Sequence, residues 1–104
     1  MTTIRLTAAQ AMVRWLSAQM AEDGRPYITG CWGIFGHGNV AGLGEALHGV
    51  RDRLPTYRGQ NEQTMAHAAI AYAKQLGRTH AMMVTSSIGP GALNMVTAAG
   101  VAHV

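Results

Sequence analysis

Apolar residues recur at two different spacings along the chain, and the changes of spacing mark its elements. Near the start, Thr7-Ala-Ala-Gln10 matches a capping box, in which two side chains cap the first turn of a helix. Four apolar side chains then follow at helical spacing and predict a first helix with one buried face: Met12, Val13, Leu16 and Met20. This helix is predicted to end at EDGRP, residues 22–26, because Gly and Pro break helices.

Three later segments predict strands, and a helical pattern follows each of them. They are a short buried strand at residues 27–34, a strand at residues 54–58 and a continuous apolar strand at residues 81–85. The helical patterns cover residues 40–50, residues from the N-cap Asn61 to the stop at Gly77, and residues 91–103 after Pro90. Continuous apolar strands joined by helices predict an α/β fold with three layers, α/β/α, and a parallel sheet.

The predicted pattern stops directly after a helix, where this architecture would place another strand. Three parallel strands make a thin sheet, and unpaired sheet edges favour aggregation. We therefore expect residues 1–104 to form one partial domain of a larger multidomain protein, truncated at its C-terminal end.

Composition and charge narrow the expected partners and compartment. The net charge is +3, from eight Lys and Arg against five Asp and Glu, and only Arg51 and Arg53 lie close together. Without a basic cluster, nucleic acid is not an expected partner. No apolar run reaches the length of a membrane span, and no signal-peptide pattern opens the chain. The one cysteine, Cys31, fits a reducing compartment, so we expect a cytoplasmic protein without membrane contacts.

Glycine and polar residues gather where the predicted strands end. Three loops are predicted between a strand and a helix: GHGN at residues 36–39, GQNE at residues 59–62 and SSIGPG at residues 86–91. The carboxyl ends of parallel strands share one edge of a sheet, so these loops should lie together where α/β proteins bind ligands. They contain neither a Walker lysine nor a complete Rossmann fingerprint, which disfavours a phosphate site.

The usual metal ligands and nucleophiles show no pattern of their own. Five histidines are spread along the chain without metal-ligand spacing, so we expect no metal site within it. Cys31 has no candidate base nearby and is interpreted as a small core residue. His37 lies in a strand-end loop, but packing or exposure is favoured over catalysis for a single histidine.

Glu62 is one of only five acidic residues, and it falls in the first turn of the helix that Asn61 caps. An acid in a first turn is favoured by the helix dipole, by about 0.3–1 kcal/mol. A strand-end loop in an α/β sheet is also a suitable place for a catalytic carboxylate. The residues alone leave both interpretations open.

Three segments resemble the thiamine diphosphate enzymes in order and spacing. IFGHGN, residues 34–39, resembles their V-F-G-x-P-G loop, and NEQTMAHAAIAYA, residues 61–73, resembles their glutamate and Ala-rich helix. TSSIGPGALN, residues 85–94, resembles their T-S-G-P-G-A-x-N turn and helix. The resemblance covers nearly the whole chain and implies the pyrimidine-binding domain of the acetolactate synthase and pyruvate decarboxylase superfamily.

The resemblance assigns roles to particular residues. It implies that Glu62 is the catalytic glutamate, which hydrogen-bonds the aminopyrimidine of thiamine diphosphate and so activates the cofactor. It implies further cofactor contacts from five residues of the loops: Gly36, Gly38, Asn39, Gly89 and Asn94. By their position, His37 and Gln63 are expected to face the substrate or the cofactor.

Two departures from the superfamily pattern narrow the resemblance. Gly38 replaces the usual proline of the first loop, and Ile88 is an extra residue between Ser87 and Gly89. GIFGHGNVAGLGEAL and YRGQNEQTMAHAAIAYAKQ resemble a branch that acts in inositol catabolism. That branch implies hydrolysis of a ring C–C bond in a cyclic 1,2-dione, giving 5-deoxyglucuronic acid. Another enzyme of the acetolactate synthase type and a non-catalytic assembly domain remain alternatives.

The resemblance also implies what lies outside this chain. In the superfamily a separate domain with a G-D-G motif holds the diphosphate and Mg²⁺, and this sequence has no such motif. The implied cofactors are thus thiamine diphosphate and Mg²⁺, with the diphosphate and the metal bound elsewhere. The implied assembly is a homo-oligomer, a dimer or tetramer, whose site forms between subunits around a small-molecule substrate. The isolated chain is therefore expected to be inactive.

Overall fold

Helix α1 (Ala8–Ser17) begins at the predicted capping box. The computed structural model describes residues 2–104, and in it Thr7 Oγ1 accepts a hydrogen bond from Gln10 N at 3.1 Å. Gln10 Oε1 accepts one from Thr7 N at 2.9 Å, which confirms the reciprocal cap. The predicted buried face is wrong for two methionines, since Met12 is 45% exposed and Met20 is 58% exposed. The helix ends before Met20, and its buried stripe is the narrow one through Val13.

The three strands form one parallel sheet, as predicted. They are β1 (Ile28–Gly33), β2 (Thr56–Arg58) and β3 (Ala81–Thr85), in the order β2-β1-β3. The central strand β1 pairs with both neighbours, and Cys31 lies level with Thr56 on one side and Met83 on the other. β1 and β2 are each two residues shorter than predicted. β2 starts after Pro55, which has no N–H to donate to a ladder.

The connection after β1 differs from the prediction of a glycine-rich loop and a later helix. Helix α2 (Gly36–Asn39) starts almost at once, continues through a π-helical turn (Val40–Gly44) and becomes α3 (Glu45–Gly49). The predicted loop at residues 36–39 is therefore helical. The helix can start this early because Gly36 has a φ of +64°, which turns the chain sharply within one residue. The π-helical turn contains Gly42 and Gly44, and glycine weakens the preference of the backbone for a regular α-helix.

Helix α4 (Glu62–Gln75) follows β2 and confirms both predicted ends. Asn61 caps its start, since Asn61 Oδ1 accepts a hydrogen bond from Thr64 N at 3.1 Å. The helix ends before Gly77, which has a left-handed φ of +62°. Met65 and Ala69 are its buried residues, and they place α4 against the sheet.

The last predicted helix is divided into two. Helix α5 (Pro90–Asn94) and helix α6 (Val96–His103) are separated by Met95. At the break, Met95 N bonds the carbonyl of Ala92 at 3.1 Å, a contact one residue shorter than an α-helical one. Asn94 therefore stands at the end of a short helix, directly beside the start of α4.

Helices cover both faces of the sheet, which confirms the three-layer architecture. One face carries the core, formed around these buried residues: Val13, Cys31, Leu43, Ala46, Leu47, Val50 and Leu54. Met83 of β3 packs against that core, whereas its neighbour Met82 lines a groove between α4 and α6 on the opposite face. Successive residues of a strand point to opposite faces, so α1 and α3 form one outer layer and α4 and α6 the other.

Replacing Leu47 by Ala tests the position of the core. Leu47 is 1% exposed, so the change removes buried methyl groups and leaves a cavity. We expect the free energy of unfolding to fall by about 2–5 kcal/mol. Urea unfolding of the chain, followed by circular dichroism, measures it. The same change at Leu93, which is 69% exposed, should cost less than about 0.5 kcal/mol, and equal losses at both positions would contradict this core.

Candidate active site

All three strand-to-helix connections meet at one edge of the sheet because the three strands are parallel. The end of β1 is tied to β3, where Ile34 N bonds the carbonyl of Thr85 at 3.2 Å. Asn39 of α2 reaches the connection after β3, and its Nδ2 donates to the carbonyl of Ser86 at 2.8 Å. The connection after β2 delivers Glu62 to the same edge. The predicted convergence of the three segments is thus present in the structure.

Glu62 lies at the centre of this edge as the first residue of α4. Its side chain is partly buried, and its oxygen Oε2 accepts a hydrogen bond from Asn94 Nδ2 at 3.2 Å. Among residues 2–104, the other oxygen, Oε1, has no hydrogen-bond partner. The carboxylate is therefore held on one side and available on the other.

Two glycines allow the connections to pack closely around Ser87. A Cβ on Gly36 would lie 2.6 Å from Ser87 Cβ, closer than two carbon atoms can approach without a bond. A Cβ on Gly91 would overlap Ser87 Oγ and would lie 3.0 Å from Glu62 Oε1. The absence of a side chain at Gly91 lets the backbone after β3 pack directly against Glu62 Oε1 and Ser87 Oγ. Gly89, with a φ of +62°, makes the turn that leads into α5.

The predicted substrate residues lie in two different surroundings. Gln63 belongs to the group around Glu62, because its Nε2 donates to Asn94 Oδ1 at 3.3 Å and its Oε1 is 3.4 Å from His67 Nε2. His37 is exposed on α2, and a Cβ added to its neighbour Gly38 would have no atom within 4 Å. The structure thus brings Gln63 and Asn94 to Glu62, and leaves His37 and Gly38 at the solvent-facing rim.

Sequence reasoning gave no site role to Asn61, His67, Ser87 or Gly91. The cap residue Asn61 also accepts from Asn94 Nδ2, at 3.4 Å, and so joins the group around Glu62. His67 follows Gln63 by one helical turn, and that i, i+4 spacing was the available signal. The contacts of Ser87 depend on the approach of distant segments, for which the sequence carries no comparable signal.

A cleft of about 370 Å³ opens at the same edge, between the ends of β1 and β2 and helix α2. Its walls are mostly apolar with one guanidinium, and they include Ile34, Phe35, Gly36, Val40, Thr56 and Arg58. Clefts of this size and lining suit small molecules that present apolar faces and a few polar atoms. Glu62 does not line this cleft, so the cleft and the carboxylate lie on separate parts of the edge.

The remaining candidates for chemistry lie away from this edge. Cys31 is fully buried in the middle of β1, and burial raises the pKa of its thiol to about 11, which confirms it as a core residue. His80 is buried at the start of β3, with Nε2 3.1 Å from Asp23 Oδ2. Hydrogen bonds from the backbone N–H and the side chain of Arg25 lower the pKa of Asp23 to about 2. Within residues 2–104, no cluster of three His, Cys, Asp or Glu side chains could hold a metal ion.

Residues 6–104 match a family described as thiamine pyrophosphate enzyme, N-terminal TPP binding domain. The chain belongs to this family, and thiamine pyrophosphate is the same compound as thiamine diphosphate. The parallel sheet flanked by helices and the edge occupied by Glu62 agree with that assignment. In the described part of the chain, every helix is too short or too polar to cross a membrane.

Individual relatives give a more particular likeness. The chain is 55% identical to the 3D-(3,5/4)-trihydroxycyclohexane-1,2-dione hydrolase of Geobacillus thermodenitrificans, over 98% of its own length. It is 53% identical to the protein of that name from Shouchella clausii and 52% identical to the one from Listeria monocytogenes, in each case over 96% of its length. The chain spans 16% of the length of these curated relatives.

The close packing at Ser87 predicts a cost for replacing Gly36 by Ala. The change combines a left-handed backbone with a contact to Ser87, so we expect a loss of about 2 kcal/mol or more in the free energy of unfolding. Gly24 provides the matched control, because its φ is +80° and nothing lies near it. Urea unfolding of Gly24→Ala should show the smaller cost of the backbone alone. Equal losses would mean that the Ser87 contact is absent.

The environment of Cys31 predicts its reactivity. With the pKa raised from 9.0 to about 11, the thiolate fraction at pH 8 falls by about 10²-fold. We expect Cys31 in the native protein to react with iodoacetamide at least that much more slowly than in urea. Mass spectrometry of the peptide that contains Cys31 measures the reaction. Equal rates in native and unfolded protein would contradict the burial of this strand.

Proposed function

We propose that Glu62 is the carboxylate that activates the aminopyrimidine ring of thiamine diphosphate. The observation that carries the proposal is that the two carboxylate oxygens of Glu62 have different surroundings. Asn94 holds Oε2, while Oε1, which lies beside Gly91, has no hydrogen-bond partner among residues 2–104. A carboxyl group exchanges a proton through one oxygen, so an anchored Oε2 and an available Oε1 suit that task.

The residues at this edge fit the cofactor. An aminopyrimidine is a flat ring with nitrogen atoms on its rim, and it needs a hydrogen-bonding carboxyl group and backbone without side chains beside it. Glu62 Oε1 offers the first, and Gly91 offers the second, since a Cβ there would lie 3.0 Å from Oε1. When bound, thiamine diphosphate supplies the carbon nucleophile and electron sink for cleavage of a C–C bond beside a carbonyl.

The chain's own residues hold and orient that carboxylate. Asn61 caps α4 and fixes the backbone of the first turn, where Glu62 lies. The dipole of α4 favours negative charge at that turn, and Glu62 is the acidic residue of the turn. Both interpretations of Glu62, helix dipole and catalysis, therefore act together in this proposal.

The other predicted site residues receive roles consistent with their positions. Gly36, Gly89 and Asn39 are proposed to shape the backbone around the cofactor, since Asn39 ties α2 to the connection after β3. Gly38 and His37 at the exposed rim are proposed to border the cofactor and the substrate, respectively. Gln63 is proposed to face the substrate from the side of the edge where Asn94 lies.

We further propose that the protein containing this chain opens 3D-(3,5/4)-trihydroxycyclohexane-1,2-dione by hydrolysis of a C–C bond. The names of relatives at 52–55% identity support this substrate over one of the acetolactate synthase type. In this proposal the product is 5-deoxyglucuronic acid, within myo-inositol catabolism in the cytoplasm. In the same proposal the chain is part of the pyrimidine-binding domain of a homo-oligomer, and another domain binds the diphosphate and Mg²⁺.

Replacing Glu62 by Gln in that protein tests the proposal. The amide keeps the shape and cannot exchange the proton, so we expect kcat for ring opening to fall by about 10²–10⁴-fold. Glu45→Gln is the matched control, because Glu45 lies on α3, away from the edge, and should leave kcat unchanged. Consumption of the dione, followed by chromatography, measures kcat.

The outcomes of this experiment separate the alternatives. Turnover by Glu62→Gln near the wild-type rate would contradict the role of the carboxylate. A wild-type protein that does not turn over the dione but condenses pyruvate would favour an enzyme of the acetolactate synthase type. A wild-type protein that binds no thiamine diphosphate and turns over neither compound would favour an assembly domain.

A further inference from the structure

The side-chain amide of Asn94 forms three hydrogen bonds with other side chains. An asparagine amide has two N–H donors and one carbonyl oxygen. Asn94 Nδ2 lies 3.2 Å from Glu62 Oε2 and 3.4 Å from Asn61 Oδ1, and both are acceptors. Asn94 Oδ1 accepts from Gln63 Nε2 at 3.3 Å. The amide nitrogen therefore has two acceptors within the protein, the nearer of which is Glu62 Oε2.

We propose that Asn94 is a positioning residue that orients Glu62, and that it does not bind thiamine diphosphate directly. This inference rests on the proposed function of Glu62 and replaces the cofactor contact that the sequence suggested for Asn94. By holding Oε2, Asn94 fixes the plane of the carboxylate and keeps Oε1 beside the backbone of Gly91, without a hydrogen bond of its own.

The position of Asn94 in the fold supports this role. It is the last residue of α5, which follows β3, whereas Glu62 opens α4, which follows β2. The hydrogen bond between them joins two separate strand-to-helix connections, and Gln63 and Asn61 join the same two connections beside it. Three contacts from one amide to three consecutive residues set the first turn of α4 relative to α5.

Asn94 is the one side chain that bonds Glu62 in the part of the chain that the structure describes. Among residues 2–104, Glu62 forms no ion pair and no side-chain hydrogen bond besides that from Asn94. The side chain of Glu62 rotates about several bonds, so without Asn94 its Oε1 would sample several directions. A displacement of about 1 Å in a catalytic group can lower the rate by about 10²-fold.

The test uses Asn94→Ala and Asn94→Asp in the full-length protein that contains this chain. The Asp variant keeps the shape of the side chain, replaces both N–H donors by a carboxylate oxygen and places a like charge beside Glu62. It therefore removes the hydrogen bond without the cavity that the Ala variant leaves. We expect kcat to fall by about 10²-fold in both variants. We expect the Kd of thiamine diphosphate, measured by calorimetry without substrate, to stay within about threefold.

Two results would overturn the proposal. A Kd that weakens by about tenfold or more with little change in kcat would show that Asn94 binds the cofactor itself. Unchanged kcat and Kd would show that Asn94 is only structural, even if the thermal midpoint falls.

The double variant separates this proposal from the proposed function. If Asn94 acts only through Glu62, then Asn94→Ala should lower kcat no further in a Glu62→Gln background. A full additional loss would overturn the positioning role while leaving the role of Glu62 intact. If Glu62→Gln itself retained wild-type turnover, the proposed function would fail first, and Asn94 would have no catalytic group to position.

Discussion

The site depends on the parallel pairing of β1 with both of its neighbours. Because β2, β1 and β3 run in the same direction, the connections that follow them leave the sheet at one edge. Those connections carry Glu62, Asn94 and the glycines that pack against Ser87. A shift of one residue in β3 would turn Met83 away from the core, so burial of apolar side chains also fixes the register.

Much of this fold could be predicted from local pattern. The capping box at Thr7, the cap at Asn61 and the stop at Gly77 were found because each is a short signal with a defined hydrogen bond or backbone angle. β3 has the predicted bounds, because a run of five apolar or β-branched residues sits between clear breaks. The exposed side chains of Met12 and Met20 show what a helical pattern cannot predict, because the period of apolar residues does not give the width of the buried face.

The features that the sequence predicted wrongly or did not predict share one physical cause. Four residues rich in glycine predict a loop, yet the single left-handed residue Gly36 completes the turn and the remainder is helical. The bond between Glu62 and Asn94 joins residues 32 positions apart, and the contact of Gly36 with Ser87 joins segments even more distant. Such contacts follow from the assembled sheet, whereas the sequence identifies the residue types and the edge on which they lie.

The central place of the first strand also constrains the order in which the molecule can fold. β1 precedes both partners in the chain, and its contact with β3 closes a loop of about 50 residues, which is slow because much chain entropy is lost first. Helix α5 follows β3, and in the finished fold the pairing of β3 places Asn94 beside Glu62. The carboxylate of Glu62 is therefore oriented in a chain whose third strand is paired, so pairing of the last strand and completion of the site are one structural requirement.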